Sequence, residues 1–350
     1  MVVSKQLPFE TECLTSQAPL HSFFRKASGF ILEYSETKMR TSTLLAMGLA
    51  CLCVAWTARA AVAQDRSKYP THLNSSSSGI DWIAFYDRID ALTAATRKEL
   101  QHHLDLPYGE DPKQKLDLYL PQLEAAGPVF IFIHGGGFVE GDRAHYGYVA
   151  RPLAAQGIVT VVMSYRLSPA HYPEPVYDVQ AVLGWVYRNI EEYGGDASQI
   201  YIGGHSAGAI LSAFVSVNKT WLSSMSLPGD LIKGFVPISG PYDLRKTGDF
   251  VDNYFSDDTK RVEASPVFNI RNILPKAIVA VGALEKPYLE SSQAFVEALD
   301  SAGGDAKLLV LEGMAHDATA LSAGDAEGPL VRAVIELIES NRQNSSVEMQ

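Results

Sequence analysis

The segment GHSAG at 204–208 constrains this chain more than any other part of its sequence. An apolar run at 199–202 leads into it, and small residues at 207–210 lead out of it. This succession predicts a strand, a tight turn and a helix, with Ser206 at the turn. The glycines on either side leave room for a serine in a strained backbone conformation, as in a nucleophile elbow. Ser206 is therefore a candidate nucleophile.

The rest of the chain alternates short apolar runs with longer amphipathic stretches. The predicted strands are 116–119, 129–133, 159–163, 200–202, 234–238, 277–281 and 307–311, and the predicted helices are 146–155, 176–192, 207–215, 288–302 and 327–341. This alternation predicts an α/β fold with a mostly parallel central sheet and helices on both faces. We expect one such domain over 80–345, with a small helical cap segment over 80–107. An irregular insertion at 247–264 is expected to border the ligand pocket.

A glycine loop, HGGGF at 134–138, directly follows the predicted strand 129–133. Open sheets of this type bind ligands at the carboxyl ends of their strands. Three consecutive glycines allow backbone N–H groups to converge on one point, as an oxyanion hole requires. The predicted donors are the N–H groups of Gly136, Gly137 and Ala207.

The remaining catalytic groups are predicted from their positions after late strands. His316 follows the last predicted strand and is the candidate base. Glu285 follows the preceding predicted strand, 277–281, and is the candidate acid, which would fix the tautomer of the histidine. Asp243, after an earlier strand, is the main alternative acid, although a role as a hydrogen-bonded turn residue suits it better. The chain order Ser206, Glu285, His316 matches that of the α/β-hydrolases.

The other histidines are expected to have lesser roles. Because His205 is the neighbour of Ser206 in the chain, its side chain is expected to point away from the nucleophile's partner. His102 and His103 lie on the predicted N-terminal helix with no further metal ligands nearby, so we predict a solvated face and no metal site.

These motifs resemble those of the hormone-sensitive-lipase-like carboxylesterases, and more closely the branch near kynurenine formamidase. The resemblance runs over 108–316 and includes LDLYLP at 116–121, SYRLSP at 164–169, YPEP at 172–175 and SGPYDL at 239–244. It implies hydrolysis of a carboxylic ester of a small or aryl substrate through an acyl-serine, with no metal and no organic cofactor. It also implies that Arg166, Asp178 and Asp243 hold the loops around the site. The family's acid is often aspartate, whereas Glu285 stands at that position here.

Two functional alternatives remain open at this point. One is an arylformamidase, which would use the same residues on a different leaving group. The other is a non-catalytic binding protein of the hydrolase fold, which is disfavoured because nucleophile, base, acid and oxyanion donors are all present. For the predicted esterase, we expect Phe138, Tyr172 and Tyr242 to line the pocket that receives a small-molecule ester substrate.

The N-terminal segment reads as a targeting signal. A basic start, an apolar run at 44–56 and the sequence AVA at 61–63 predict a signal peptide over 39–63, with cleavage near Ala63 and export to the periplasm or medium. The run is shorter than the ~20 residues of a spanning helix, so a retained signal anchor is the less favoured alternative and no stable membrane anchor is expected. Residues 1–38 are interpreted as a start-site artefact or a disordered extension, and 64–79 as a linker.

Composition limits the partners of the chain. The formal net charge is -11, with 29 Lys and Arg against 40 Asp and Glu, which argues against nucleic acid as a partner. All 3 cysteines precede the predicted cleavage site, so the mature chain is expected to contain no thiol. The sequence does not indicate an oligomeric state.

Overall fold

The computed structural model describes residues 79–122, 126–257, 259–271 and 274–348. The extension, the signal peptide and all but the last residue of the linker predicted above lie outside these ranges. The strands are β1 (Gln101–Pro107), β2 (Lys115–Leu120), β3 (Gly127–Ile133), β4 (Val159–Met163), β5 (Gly195–His205), β6 (Ile232–Ile238), β7 (Lys276–Gly282) and β8 (Ala306–Leu311). The α-helices are α1 (Trp82–Glu99), α2 (Ala150–Ala154), α3 (Glu174–Asn189), α4 (Ala207–Val217), α5 (Trp221–Ser224), α6 (Lys260–Ala264), α7 (Lys286–Ser301), α8 (His316–Ser322) and α9 (Pro329–Glu348).

The described strands form one mostly parallel sheet in the order β1-β2-β4-β3-β5-β6-β7-β8. β2 pairs antiparallel with both β1 and β4, and the remaining pairs are parallel. Parallel neighbours require crossover connections, and the helices between the strands provide them. The carboxyl ends of β3, β5, β7 and β8 therefore lie at the same edge of the sheet, and the motifs identified in the sequence follow those ends.

The sheet separates two apolar layers, as strand β3 illustrates. Val129, Ile131 and Ile133 pack into the layer covered by α3, α4 and α7. Phe130 and Phe132 point the other way, into the layer that contains apolar residues of α1, α2 and α9. All of β3 is buried because a central parallel strand is covered on both faces. This explains why the strand reads as a continuous apolar run.

The N-terminal segment corrects one prediction, because 80–107 is not helical throughout. Helix α1 begins after Asp81, whose carboxylate accepts from the N–H of Ala84, and it ends before Leu100, which is extended. Residues of β1 then pair antiparallel with β2 at the edge of the sheet. Local apolar spacing does not reveal this pairing, because strand formation depends on packing against a second segment, here β2, which begins at Lys115.

Two further segments bear on the site. The insertion 247–264 contains a 3₁₀ segment, Gly248–Tyr254, and the short helix α6. Within the described ranges, no helix is long and apolar enough to cross a membrane. The same ranges contain no group of three or more His, Cys, Asp or Glu side chains suited to hold a metal ion.

Candidate active site

Ser206 lies on a sharp turn between β5 and α4. Its backbone has φ 57° and ψ -113°, a conformation that non-glycine residues rarely adopt, and its N–H donates to the carbonyl of Ile238 at 2.9 Å. The turn packs tightly on β3, because a Cβ placed on Gly208 would collide with the carbonyl oxygen of Ile133. The strain at Ser206 is thus held by surrounding packing, which is typical of functional positions.

His316 and Glu285 lie in line with Ser206. The Nε2 atom of His316 is 2.9 Å from Ser206 Oγ, and its Nδ1 atom is 2.5 Å from Glu285 Oε1. The side chains of Glu285 and His316 are 4% and 14% exposed, so both contacts lie in a partly water-excluded environment. This arrangement can draw a proton from the serine hydroxyl and stabilise the resulting imidazolium.

Glu285 is held in place by its second carboxylate oxygen. Oε2 accepts from the N–H of Gly282 at 2.8 Å and from the hydroxyl of Ser239 at 2.7 Å. Ser239 Oγ also lies 2.9 Å from Thr319 Oγ1 on α8. The Glu285 carboxylate is therefore fixed by groups from β7, from the loop after β6, and from helix α8, which begins with His316.

Asp243, the alternative acid, lies apart from His316. Its carboxylate accepts from the Nε and Nη2 atoms of Arg245 at 2.9 and 2.8 Å and from the N–H of the same residue. Hydrogen bonding to Arg245 lowers the pKa of Asp243 below its ordinary value. Asp243 is thus a hydrogen-bonded turn residue, and the structure brings Glu285 rather than Asp243 to the histidine.

The glycine loop lies against the serine. Gly136 and Gly137 both have positive φ, 118° and 57°, and a Cβ on Gly136 would collide with the carbonyl of Glu140. The loop is folded by bonds from Val139 N–H and Glu140 N–H to the carbonyl of Gly136 at 3.0 and 3.1 Å. All three glycines of the loop line the same cavity as Ser206. Ala207 provides the first N–H of α4, a position that no helical carbonyl satisfies.

His134 braces this loop from within the core. Its Nδ1 lies 2.7 Å from the carbonyl oxygen of Gly135, and its ring stacks on Tyr165 at 4.5 Å. Complete burial lowers its pKa to about 4, so the ring is neutral at neutral pH. A neutral ring donates one N–H to the loop without adding charge near the site.

Ser206 opens onto a cavity of about 380 Å³ with largely aromatic walls. The described residues that line it are Ile80, Trp82, Phe85, Tyr86, Gly135, Gly136, Gly137, Val139, Glu140, Tyr146, His205, Ser206, Asn253, Tyr288 and His316. The start of α1 thus forms one wall, as expected of the cap segment. The insertion contributes Asn253, in agreement with the sequence prediction. Among these lining residues, Glu140 is the one carboxylate and none is a lysine or arginine.

The three residues predicted to line the pocket are not among the described residues that do so. Phe138 is fully buried and stacks on Tyr254 at 3.9 Å, because its positive φ turns it into the core. Tyr242 is also buried, stacks on Phe295 at 4.3 Å and lines a separate cavity of about 410 Å³. Tyr172 packs edge-on against Tyr254. These three residues lie within or next to sequence motifs, but that position does not predict the direction in which their side chains point.

The aromatic residues that do line the cavity include two that contact His316. The ring of Tyr288 stacks on the imidazole at 5.0 Å and 17°, and Trp82 approaches it edge-on at 6.4 Å. Burial, followed by the charge of Glu285, raises the pKa of Tyr288 to about 12, so its hydroxyl stays neutral. Tyr288 lies on the first turn of α7, the helix that follows Glu285. This position, close to the candidate acid, is the sequence signal that could have predicted Tyr288 as a cavity residue.

His205 contradicts the prediction that it points away from the partner of Ser206. Its ring packs on that of His316, with centroids 4.5 Å apart, and its Nε2 lies 2.9 Å from the His316 carbonyl oxygen. A strand alternates its side chains, but the turn at Ser206 breaks that alternation. The two neighbouring side chains therefore converge on the same histidine.

Comparisons with known proteins agree with this architecture. Esterase LipC of Mycobacterium tuberculosis is 29% identical over 281 residues, which cover 73% of this chain and 69% of LipC. Kynurenine formamidase of Danio rerio is 30% identical over 227 residues, which cover 60% of this chain and 73% of that protein. Esterase B of Lactobacillus rhamnosis superposes with a TM-score of 0.64 at 20% identity, covering 77% of this chain and 95% of that one, which shows a shared fold. The family model described as alpha/beta hydrolase fold, Abhydrolase_3, matches residues 130–320, more than half of the 350 residues, and the chain therefore belongs to this α/β-hydrolase family.

Proposed function

We propose that the protein is a serine carboxylesterase that cleaves esters of small or aryl substrates through an acyl-enzyme. The observation that carries this proposal is the line of contacts from Ser206 Oγ to His316 Nε2 and from His316 Nδ1 to Glu285 Oε1, at 2.9 and 2.5 Å. This line opens onto a cavity bordered by the glycine loop. An esterase relative at 29% identity supports the same reaction class.

The reaction begins when His316 takes the proton of Ser206 and the oxygen attacks the ester carbonyl carbon. The carbonyl π electrons move to oxygen, and the N–H groups of Gly136, Gly137 and Ala207 stabilise the resulting oxyanion. Collapse of the tetrahedral intermediate breaks the C–O bond, and His316 returns the proton to the departing alcohol. Water then repeats the sequence on the acyl-serine and releases the acid.

The cavity favours uncharged substrates with an apolar or aromatic group. Its walls bury aromatic surface from α1 and Tyr288, and flat apolar groups pack well on such surfaces. The described lining offers no lysine or arginine to neutralise a substrate carboxylate, while Glu140 would repel one. Anionic esters are therefore expected to be poorer substrates than neutral ones.

Formamide cleavage is the second candidate, and the Danio rerio relative named kynurenine formamidase favours it. The same serine, histidine and oxyanion donors would attack a formyl carbonyl. N-formylkynurenine carries both an α-ammonium and an α-carboxylate group. Glu140 offers a partner for the ammonium, whereas the described lining has no lysine or arginine for the carboxylate. The charge of the cavity therefore does not separate the two reactions, and the esterase relative makes ester cleavage the main proposal.

A substrate panel tests the proposal. It contains aryl esters of rising acyl length, acetylated sugars, feruloyl esters and N-formylkynurenine, assayed with the wild type, Ser206→Ala and Ser223→Ala. Ser223 is an exposed serine on α5 and provides the matched control. We expect hydrolysis of short neutral aryl esters to be lost in Ser206→Ala and retained in Ser223→Ala. Full activity in Ser206→Ala would refute the mechanism, and faster turnover of N-formylkynurenine than of any ester would favour the formamidase.

We also propose that the chain is exported after cleavage near Ala63. The support is the basic, apolar and small-residue pattern over 39–63. Expression in a bacterial host, followed by fractionation and N-terminal sequencing, is expected to find a chain that begins at Gln64 in the exported fraction. An uncleaved chain in the membrane fraction would indicate a signal anchor instead.

A further inference from the structure

We infer that His205 is a positioning residue that fixes the backbone of His316 relative to Ser206, an inference that rests on the proposed esterase function. His205 is the last residue of β5 and is 3% exposed. Its neighbour in the chain is the nucleophile, and its ring packs on the base. It is therefore covalently adjacent to Ser206 and in direct contact with His316.

The contact with His316 is directional. The Nε2 atom of His205 lies 2.9 Å from the His316 carbonyl oxygen, which accepts, so the Nε2 atom carries the proton. Thr319 Oγ1 donates to the same carbonyl at 2.8 Å and lies 3.3 Å from His205 Nε2. Two donors thus hold the carbonyl of the residue that begins α8. Because this carbonyl cannot move freely, the imidazole of His316 stays within reach of Ser206 Oγ.

The opposite side of His205 contacts the glycine loop. A Cβ placed on Gly135 would lie 3.1 Å from His205 Nδ1 and 3.1 Å from Ser206 Cβ. The loop can approach this closely because residue 135 has no side chain. His205 is consequently packed between the loop that would hold the oxyanion and the base, and it sets the spacing between them.

The charge state of His205 suits this place. Burial, followed by the proximity of His316, holds the pKa of His205 well below its usual range, so its ring is neutral at neutral pH. During acyl transfer the imidazole of His316 becomes a cation. A cationic ring 4.5 Å away would oppose that step, whereas a neutral ring does not.

Three variants separate the hydrogen bond from the packing of the ring. His205→Phe keeps a ring and removes the donor, His205→Gln keeps a donor and removes the ring, and His205→Ala removes both. With a neutral aryl ester, we expect kcat to fall about 100-fold in His205→Ala and about tenfold in His205→Phe. In His205→Gln, which keeps a donor, kcat is expected to lie above that of His205→Ala. KM is expected to change less than about twofold, because His205 is only one of the residues that line the cavity and the aromatic side chains of α1 and Tyr288 remain. His103→Phe, on the distant strand β1, is the matched control and is expected to retain wild-type kcat.

A double variant tests whether His205 acts through His316. In a His316→Ala background, His205→Phe is expected to cause no further loss of Ser206 acylation by an activated aryl ester, since the residue it positions is gone. An equal additional loss in that background would overturn the inference. Wild-type kcat in His205→Phe would overturn it as well.

A measurement on the unmodified protein decides the matter if the variants do not fold. Long-range ¹H–¹⁵N correlation spectra of the wild type are expected to show His205 as a neutral ring protonated at Nε2 at neutral pH. A ring protonated at Nδ1 alone, or a cation, would overturn the inference. This readout does not depend on turnover, so an absence of ester hydrolysis would count against the proposed function and not against the contact.

Discussion

Replacing Glu285 with glutamine is expected to remove most of the catalytic activity while leaving the fold intact. In the wild type, Oε2 accepts from Gly282 N–H and Ser239 Oγ, and Oε1 accepts from His316 Nδ1. Glutamine has one acceptor oxygen and one NH₂ group. The N–H of Gly282 belongs to the backbone and cannot reverse, so it retains the oxygen and directs the NH₂ group toward His316.

The consequence is a change of tautomer. Facing a donor, His316 Nδ1 must accept, and the proton then resides on Nε2, which faces Ser206 Oγ at 2.9 Å. A protonated Nε2 cannot take the serine proton. A wrong tautomer of this kind lowers kcat about 10⁴-fold in serine hydrolases. This corresponds to about 5 kcal/mol of transition-state stabilisation.

The assay is steady-state hydrolysis of a neutral aryl ester at neutral pH, with Asp243→Asn as the matched control. Asp243 contacts Arg245 at the surface, and exposed ion pairs contribute about 0–1 kcal/mol, so we expect the control to keep its activity within about threefold. Activity of Glu285→Gln within about tenfold of the wild type would refute the tautomer argument. A larger loss in Asp243→Asn than in Glu285→Gln would refute the identity of the acid.

Three further predictions concern stability and specificity. Asp178→Asn is expected to lower the free energy of unfolding, measured in urea, by about 3 kcal/mol. The fully buried carboxylate of Asp178 accepts from the Nε and Nη2 atoms of Arg166, and the substitution removes its charge while the guanidinium of Arg166 keeps its own. Tyr288→Ala is expected to shift the preferred acyl chain to longer lengths, because this side chain borders both the cavity at Ser206 and the neighbouring cavity of about 410 Å³. Burial alone would raise the pKa of Asp142, but the Ala144 N–H and the ammonium of Lys113 lower it to about 2. Since the unfolded-state value is about 3.9, this carboxylate stabilises the fold above pH ~4, and the stabilisation is lost as the pH falls toward 2.

Each of these predictions has its own control or contrary outcome. Glu263→Gln breaks an exposed pair with Lys260, and a loss of stability equal to that of Asp178→Asn would contradict the argument from burial. An unchanged chain-length profile in Tyr288→Ala would show that the two cavities do not join. For Asp142, the difference in unfolding free energy between wild type and Asp142→Asn is expected to shrink between pH 6 and pH 3, and a constant difference would contradict the sign of the pKa shift.

Much of the site was predictable because its residues follow strand ends. The structure brings Ser206, His316 and Glu285 together, and each was identified from a place after an apolar run. Chain order and strand position suffice here because a parallel sheet gathers the carboxyl ends of its strands at one edge. The glycine loop was predictable for the same reason, with the added signal that three glycines in a row rarely serve packing alone.

Other features depended on contacts between segments, which local spacing does not report. The helical spacing over 80–104 did not reveal that β1 pairs with β2, since strand pairing involves a partner elsewhere in the chain. The walls of the cavity were mispredicted because the direction of an aromatic side chain is set by packing. Phe138 turns to Tyr254 and Tyr242 to Phe295, whereas Trp82 and Tyr288 reach the cavity from segments far from Ser206 in sequence.

Sequence patterns alone were thus enough to predict the α/β class, the order of the candidate catalytic groups along the chain, and the candidates for nucleophile, base and acid. Periodicity and glycine placement are local properties, so they can be read directly from the sequence. The folded arrangement was needed to show which side chains face the cavity, that Glu285 rather than Asp243 reaches His316, and that His205 turns toward His316. These outcomes depend on distances between segments that are remote in the chain, and such distances are set by how the elements pack.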